Sequence, residues 1–413
     1  MKSPKLLSLS MLGGILAISG ANAAPIPGVV SEADVTGNQR QANPQAIENY
    51  WTPERMRQAQ PRPVPTVIVD EQSLAYPPDP QMIDGEPGFV PGCPPKATNC
   101  DTQPRSLPMN GIDSSTGSFE AFGDQISPMH GAKPINPKTG PYGPFQRWRE
   151  AEPITAYPKS AIGKLFFTLG GKNFVCSASV IGRSTVITAG HCNSDGNGKF
   201  ATNRLFCPSY NGAPHPTRDC WAVTTSVVAA PWHNGGDPDY DYSCLVMNTT
   251  GRKMASKIGN VTGTLGRAWN FAPQQAERTF GYPAGAPFNG NTLQTTASTE
   301  WYTHDFSSGG QVSKVIGSDL TGGSSGGPWI IGWTGGLAET ADTDGSADTD
   351  PGSNWVNGVN SHKRCLGSCF TPPTTTSGTF WQEMTSPPFS KTSSDNNDSE
   401  DVIAICLAHA NNQ

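Results

Sequence analysis

The sequence predicts an all-β core that follows a long, largely irregular N-terminal stretch. Three observations carry this expectation. The 413 residues include 46 Gly and 38 Pro, which favours many turns over long helices. After Tyr157 the chain breaks into short runs rich in β-branched and aromatic residues, separated by Gly, Asn, Asp and Pro, the pattern of a sandwich or barrel. Before Tyr157 it is rich in Pro, Gln and Asn and has few apolar runs long enough to be buried strands.

The elements follow in chain order. Lys2 and Lys5, an apolar run at 6–18 and the small-residue site Ala21-Asn22-Ala23 have the layout of a cleaved secretory signal, so residues 1–23 are set apart from the fold. That apolar run is shorter than the ~20 residues needed to span a bilayer. In residues 24–158 one local element stands out: Thr52-Pro53-Glu54-Arg55-Met56 combines a capping Thr, Pro at the first helical position and an early Glu, and predicts a short helix. Residues 159–413 form the core, with strands expected at 162–169, 174–181, 185–189, 221–230 and 328–333. At the C-terminus, Val402, Ile403, Ile405, Cys406 and His409 have helical spacing. Ser399 is the expected cap, with Glu400 and Asp401 at the positive end of the helix dipole.

A net charge of −6 with 15% charged residues offers no basic field, which excludes nucleic acid and anionic membranes as partners. Ten cysteines in an exported chain are most simply five disulfides. Proximity pairs Cys93 with Cys100, Cys176 with Cys192, Cys207 with Cys220 and Cys365 with Cys369, leaving Cys244 for Cys406. The spacings repeat no CxxC pair and the histidines do not cluster beside them, so no metal and no cofactor is expected. The acidic run at 342–350 does not complete an EF-hand loop and is taken as a solvated loop. Asn248, Asn260 and Asn397 begin glycosylation sequons.

Serine-based amide hydrolysis needs an activated hydroxyl, a base, a group orienting that base and donors for the oxyanion. Val186-Ile187-Thr188-Ala189-Gly190-His191-Cys192 ends an expected strand on a His beside a Cys. Asp241 heads the strand around Ser243-Cys244-Leu245-Val246, with Asp237 and Asp239 as competitors for its role. The run Gly322-Gly323-Ser324-Ser325-Gly326-Gly327-Pro328 leads straight into Trp329-Ile330-Ile331, unlike a Gly/Ser linker. Its glycines let backbone amides approach a substrate carbonyl, so the amides of Gly323 and Ser325 are the expected oxyanion hole.

These motifs, in the order His191, Asp241, Ser325, resemble the chymotrypsin-like (trypsin-like) serine peptidases. Thr321-Gly322-Gly323-Ser324-Ser325-Gly326-Gly327-Pro328-Trp329, Gly281-Tyr282-Pro283 and Gly358-Val359-Asn360-Ser361 are similar to the bacterial and fungal V8-like, glutamyl-endopeptidase-like branch. The resemblance covers about residue 159 to the C-terminus. It implies two six-stranded antiparallel β-barrels with a C-terminal helix, and a secreted serine endopeptidase working through an acyl-enzyme. It also implies a precursor in which residues 24–158 are a propeptide that assists folding or blocks the cleft. Partners are then protein or peptide substrates and the chain's own propeptide, and the enzyme is monomeric. Two features depart from the pancreatic pattern: Ser324 stands where Asp usually precedes the nucleophile, and no Ile-Val-Gly-Gly start lies near the boundary.

The resemblance makes Val359, Asn360, Ser361 and His362 a wall of the specificity pocket that offers main-chain hydrogen bonds to substrate. Asp319, six residues before Ser325, would select Arg or Lys by charge pairing; His362 or Lys363 would favour an acidic side chain instead. A catalytically silent binding protein on the same fold is the alternative outside enzymology, and an esterase the alternative within it.

Overall fold

The computed structural model describes residues 28–36, 43–69, 85–97, 103–106, 145–149, 154–271, 275–299, 302–306, 312–333, 354–366, 383–392 and 398–412. The expected signal (1–23), the acidic run at 342–350, Asn397, Cys100 and Cys369 lie outside them.

Six short strands come from the N-terminal stretch: β1 (Val29–Ser31), β2 (Gln60–Pro61), β3 (Thr66–Val69), β4 (Gly88–Val90), β5 (Arg105–Ser106) and β6 (Phe145–Arg149). The first half of the core is β7 (Ile162–Leu169), β8 (Lys172–Gly182), β9 (Thr185–Thr188), β10 (Thr202–Pro208), β11 (Trp221–Ala229) and β12 (Ser243–Met247). These six pair antiparallel in the cycle β7-β8-β9-β12-β11-β10 and back to β7, which closes a barrel and leaves no free edge between them.

The second half contains β13 (Gly266–Trp269), β14 (Ala276–Gly281), β15 (Gln294–Thr299), β16 (Tyr302–His304), β17 (Ser313–Gly317), β18 (Pro328–Ile331), β19 (Trp355–Val359), β20 (Lys363–Leu366) and β21 (Glu383–Ser386). One sheet runs β5-β4-β13-β19-β18-β14-β15-β6, and a smaller one runs β16-β17-β21. The two meet where the Gly317 amide donates to Ser298 Oγ at 3.1 Å.

The N-terminal stretch, expected to be irregular, is sewn into these sheets. β1 extends β11, β2 joins β8, β3 joins β20, β4 joins β13 and β6 joins β15. Glu32 reaches the guanidinium of the buried Arg204, and so supplies the charge that Arg204 needs once it leaves water. The helices α1 (Pro44–Tyr50) and α2 (Pro53–Gln58), with Trp51 between them, add Ile47, Trp51 and Met56 to the barrel's core. Trp51 has no exposure and packs on Phe166 with centroids 5.4 Å apart. Truncating such a side chain costs about 3–5 kcal/mol.

Caps explain where the helices begin. Thr52 Oγ1 accepts from the Arg55 amide at 3.2 Å, as expected for α2. A turn α3 (Ala230–Gly235) ends on Gly236 at φ +67. For α4 (Ser399–Asn411) the expected cap is corrected by one residue. Asp398 Oδ1 accepts from the Asp401 amide at 3.1 Å, while the Ser399 hydroxyl turns to Ser390. Cys244–Cys406 ties α4 to β12, and Cys176–Cys192 and Cys207–Cys220 are also formed. No helix among the described residues is long and apolar enough to cross a membrane.

Candidate active site

β9 ends at Thr188, and the chain turns through Gly190 to His191. A Cβ on Gly190 would stand 2.7 Å from the Trp232 ring and 2.9 Å from Asp241 Oδ1, so this tight turn takes glycine. The Cys176–Cys192 bond anchors the turn to β8. β12 pairs with β9 in the register Ser243↔Thr188, which carries the residues just before β12 alongside those just after β9.

That register brings Asp241 to His191. Asp241 Oδ1 accepts from the His191 amide at 2.7 Å, and Oδ2 lies 2.7 Å from His191 Nδ1. Both residues are fully buried. Burial alone would raise the Asp241 pKa, but the His191 charge and the hydrogen bonds from His191 and Ser361 outweigh it and hold the carboxyl below its usual range. The competitors are engaged elsewhere: Asp239 accepts from the Phe306 amide and Ser313 Oγ, and Asp237 accepts from the Asp239 amide.

A second histidine stands behind the first. Ser361 Oγ lies 2.5 Å from Asp241 Oδ2 and 2.6 Å from His362 Nδ1. A carboxylate can only accept, so the one hydroxyl proton goes to Asp241 and His362 Nδ1 must be the donor to Ser361. Burial pushes the His362 pKa down to about 3, with Asp241 opposing and His191 and His304 adding to the drop, so this ring is neutral at physiological pH.

The turn that carries Ser325 is held from both halves of the fold. The Ser177 amide donates to the Ser325 carbonyl at 2.7 Å, and Ser177 Oγ donates to the Gly323 carbonyl at 2.9 Å. Asn360 clamps the other side: Nδ2 donates to the Phe280 and Ser324 carbonyls, Oδ1 accepts from Trp329 Nε1, and its amide and carbonyl bond Gly327 and Gly326. Gly323 sits at φ +96, and a Cβ on Gly327 would lie 1.9 Å from the Phe280 carbonyl oxygen. Ser324 Oγ closes on the Thr321 carbonyl within the turn. His191 Nε2 and Ser325 Oγ are both buried and have no hydrogen-bond partner among the described residues.

Around the pocket, the Val359 amide donates to Ser386 Oγ and the Ser361 amide to the Thr385 carbonyl. Asp319 Oδ2 pairs with Arg147 Nε at 2.8 Å, and its Oδ1 is buried with no hydrogen-bond partner. Burial lowers the Lys363 pKa to about 8, opposed by Asp319 and Glu383. Sequence reasoning missed Ser177, the clamping role of Asn360 and the Ser361–His362 relay. Their contacts span 23 to 146 residues of chain, so no local motif announces them, apart from the Ser361–His362 adjacency itself.

No protein-family model matches the chain. A curated glutamyl endopeptidase from Bacillus licheniformis is 28% identical over 178 residues, covering 42% of this chain. The chain spans about half, 49%, of that relative's length. Among solved structures, the protease Anisep from Arthrobacter nicotinovorans is 30% identical, covering 65% of this chain and 100% of its own, with a TM-score of 0.48. A thermostable serine protease from an extremophilic microorganism is also 30% identical, covering 62% of this chain and 98% of its own, with a TM-score of 0.46. The closed six-strand barrel and the motif order mark the chain as a member of the chymotrypsin-like serine peptidase family. The curated relative is a glutamyl endopeptidase, in keeping with the resemblance of the chain's motifs to the V8-like branch.

Proposed function

We propose that this chain is the precursor of a secreted serine endopeptidase that cleaves peptide bonds through Ser325, His191 and Asp241. The observation that carries the proposal is the buried His191–Asp241 pair, at 2.7 Å on Nδ1 and 2.7 Å on the amide, which leaves Nε2 as the one ring nitrogen without a partner. With the Nδ1 proton held by the carboxylate, Nε2 carries a lone pair. It takes the Ser325 proton as Oγ adds to the scissile carbonyl. The imidazolium formed is stabilised by Asp241, and the oxyanion by the amides of Gly323 and Ser325. His191 then gives the proton to the leaving nitrogen, and water repeats the sequence on the acyl-enzyme.

For the residue at the scissile bond we propose Arg or Lys. Asp319 already holds a guanidinium, that of Arg147, and keeps a second buried oxygen without a hydrogen-bond partner. The Bacillus licheniformis relative acts, by its name, at glutamate. Of the two groups that would attract an acid here, His362 is neutral and Lys363 faces Asp319 and Glu383.

Peptide-library cleavage by material recovered from the culture medium tests both parts. Cleavage after Arg and Lys, abolished by Ser325→Ala, is the expected result. Cleavage after Glu would overturn the specificity. Binding of peptides without any turnover would favour the silent binding protein.

A further inference from the structure

Residues 60–69 run along the face that holds Ser325. The Arg62 amide donates to the Val175 carbonyl at 3.0 Å, and the Gly323 amide, an expected oxyanion donor, donates to the Arg62 carbonyl at 3.2 Å. Farther on, the Lys363 amide donates to the Pro65 carbonyl at 3.0 Å. Val64 between them joins the buried cluster of Ile316, Leu320, Trp329 and Met384. A Cβ on Gly322 would lie 2.8 Å from the Arg62 carbonyl oxygen, so the strap needs glycine beneath it. His191 and Ser325 have no solvent exposure.

The direction of this strap is informative. Both of its pairings are parallel, β2 with β8 and β3 with β20. A substrate of the peptidase proposed above that added antiparallel to the pocket wall would set its N-terminal side along that wall and its leaving side toward β8. The strap does the reverse: residues 60–61 lie on β8 and residues 65–69 on the wall.

Resting on that peptidase assignment, we infer that residues 60–69 are a built-in inhibitory ligand of the cleft. They are threaded opposite to a substrate, so that a carbonyl meets the Gly323 amide without presenting a scissile bond.

Two further features fit this binding mode. The Arg62 guanidinium lies over the Phe174 ring of β8, 5.4 Å from its centroid, and burial lowers its pKa, opposed by Asp241 and Asp195. The bond following the Arg62 carbonyl leads to Pro63, in the run Pro61-Arg62-Pro63-Val64-Pro65. Its prolines fix φ and restrict the residues before them, which keeps the strap extended and costs it no donors that the cleft uses. The ligand class this cleft accepts is therefore an extended Pro-Arg-Pro-Val-Pro peptide.

Fluorophosphonate labelling of Ser325 in the full chain tests the inference. Val64→Asp puts a charge into the apolar cluster, and the expected result is labelling at least tenfold faster than in the unaltered chain. Adding a synthetic peptide of residues 59–66 should slow the variant again, with the peptide recovered intact. Equal labelling of both chains, or cleavage of the peptide, would overturn the proposal. Hydrogen exchange of the unaltered chain covers a variant that fails to fold. The Gly323 and Lys363 amides should be protected at least a hundredfold over loop amides, and exchange at loop rates would overturn the strap whatever Ser325 does. Absence of labelling in both chains with those amides protected would count against the nucleophile and leave the strap standing.

Discussion

Replacing Asp241 by Asn probes the proposed mechanism at its least visible member. The carboxylate accepts three donors: the His191 amide at 2.7 Å on one oxygen, and His191 Nδ1 at 2.7 Å with Ser361 Oγ at 2.5 Å on the other. Asparagine offers one oxygen and one NH2, so one of these faces must meet a donor. Turned toward the backbone amide, the NH2 meets an N–H that cannot invert, and a buried donor left unsatisfied costs about 1–3 kcal/mol. Turned toward Nδ1, it donates to the ring and moves the imidazole proton to Nε2. The second arrangement is the cheaper, and it removes the lone pair that would take the Ser325 proton. The expected fall in kcat is ~10⁴, roughly 5.4 kcal/mol of barrier, with KM little changed. Steady-state hydrolysis of a peptide amide measures it, with circular dichroism to confirm folding. A variant within tenfold of the parent kcat would refute the role given to Asp241.

Three further outcomes are expected. Asp319→Ser should lower kcat/KM for Arg and Lys substrates by about 10²-fold, the scale of a lost buried charge pair, and leave apolar substrates nearly unchanged. Burial raises the Asp398 pKa from 3.8 to about 7, helped by Asp401 and Glu400 and opposed by the amide hydrogen bonds. The folded state therefore holds this proton more tightly than the unfolded one, and the associated stability is present below pH 3.8 and lost as pH rises toward 7. Melting curves should show Asp398→Asn flattening that dependence by about 1–2 kcal/mol, whatever it costs the cap itself. Removing the Cys244–Cys406 bond with paired Ala substitutions frees α4 from β12 and should cost about 2–5 kcal/mol, seen as a Tm lower by roughly 5–15 °C.

The Cys176–Cys192 pair is legible because it sits in a short run constrained by one turn, the run that also carries His191. The sequence offers Asp241 as one of three nearby acids, and the β9–β12 register brings it to His191. Thr52 was read as a cap because its side chain bonds three residues ahead. Ser399 was misread because Asp398 beside it is equally competent and Ser399 finds Ser390 instead. The N-terminal stretch was the least legible. Strands of two to five residues show no periodicity, and their partners lie far away: Pro61 meets Val175, and Glu32 meets Arg204. Two of its prolines, Pro44 and Pro53, open helices, and composition does not distinguish a free segment from one paired into distant sheets.

Fluorophosphonate treatment of the active material, followed by peptide mapping, tests whether Ser325 is the nucleophile. The expected result is a single adduct on the peptide carrying Gly323-Ser324-Ser325-Gly326, absent after Ser325→Ala. An adduct on another residue, or one that survives that substitution, would contradict the account.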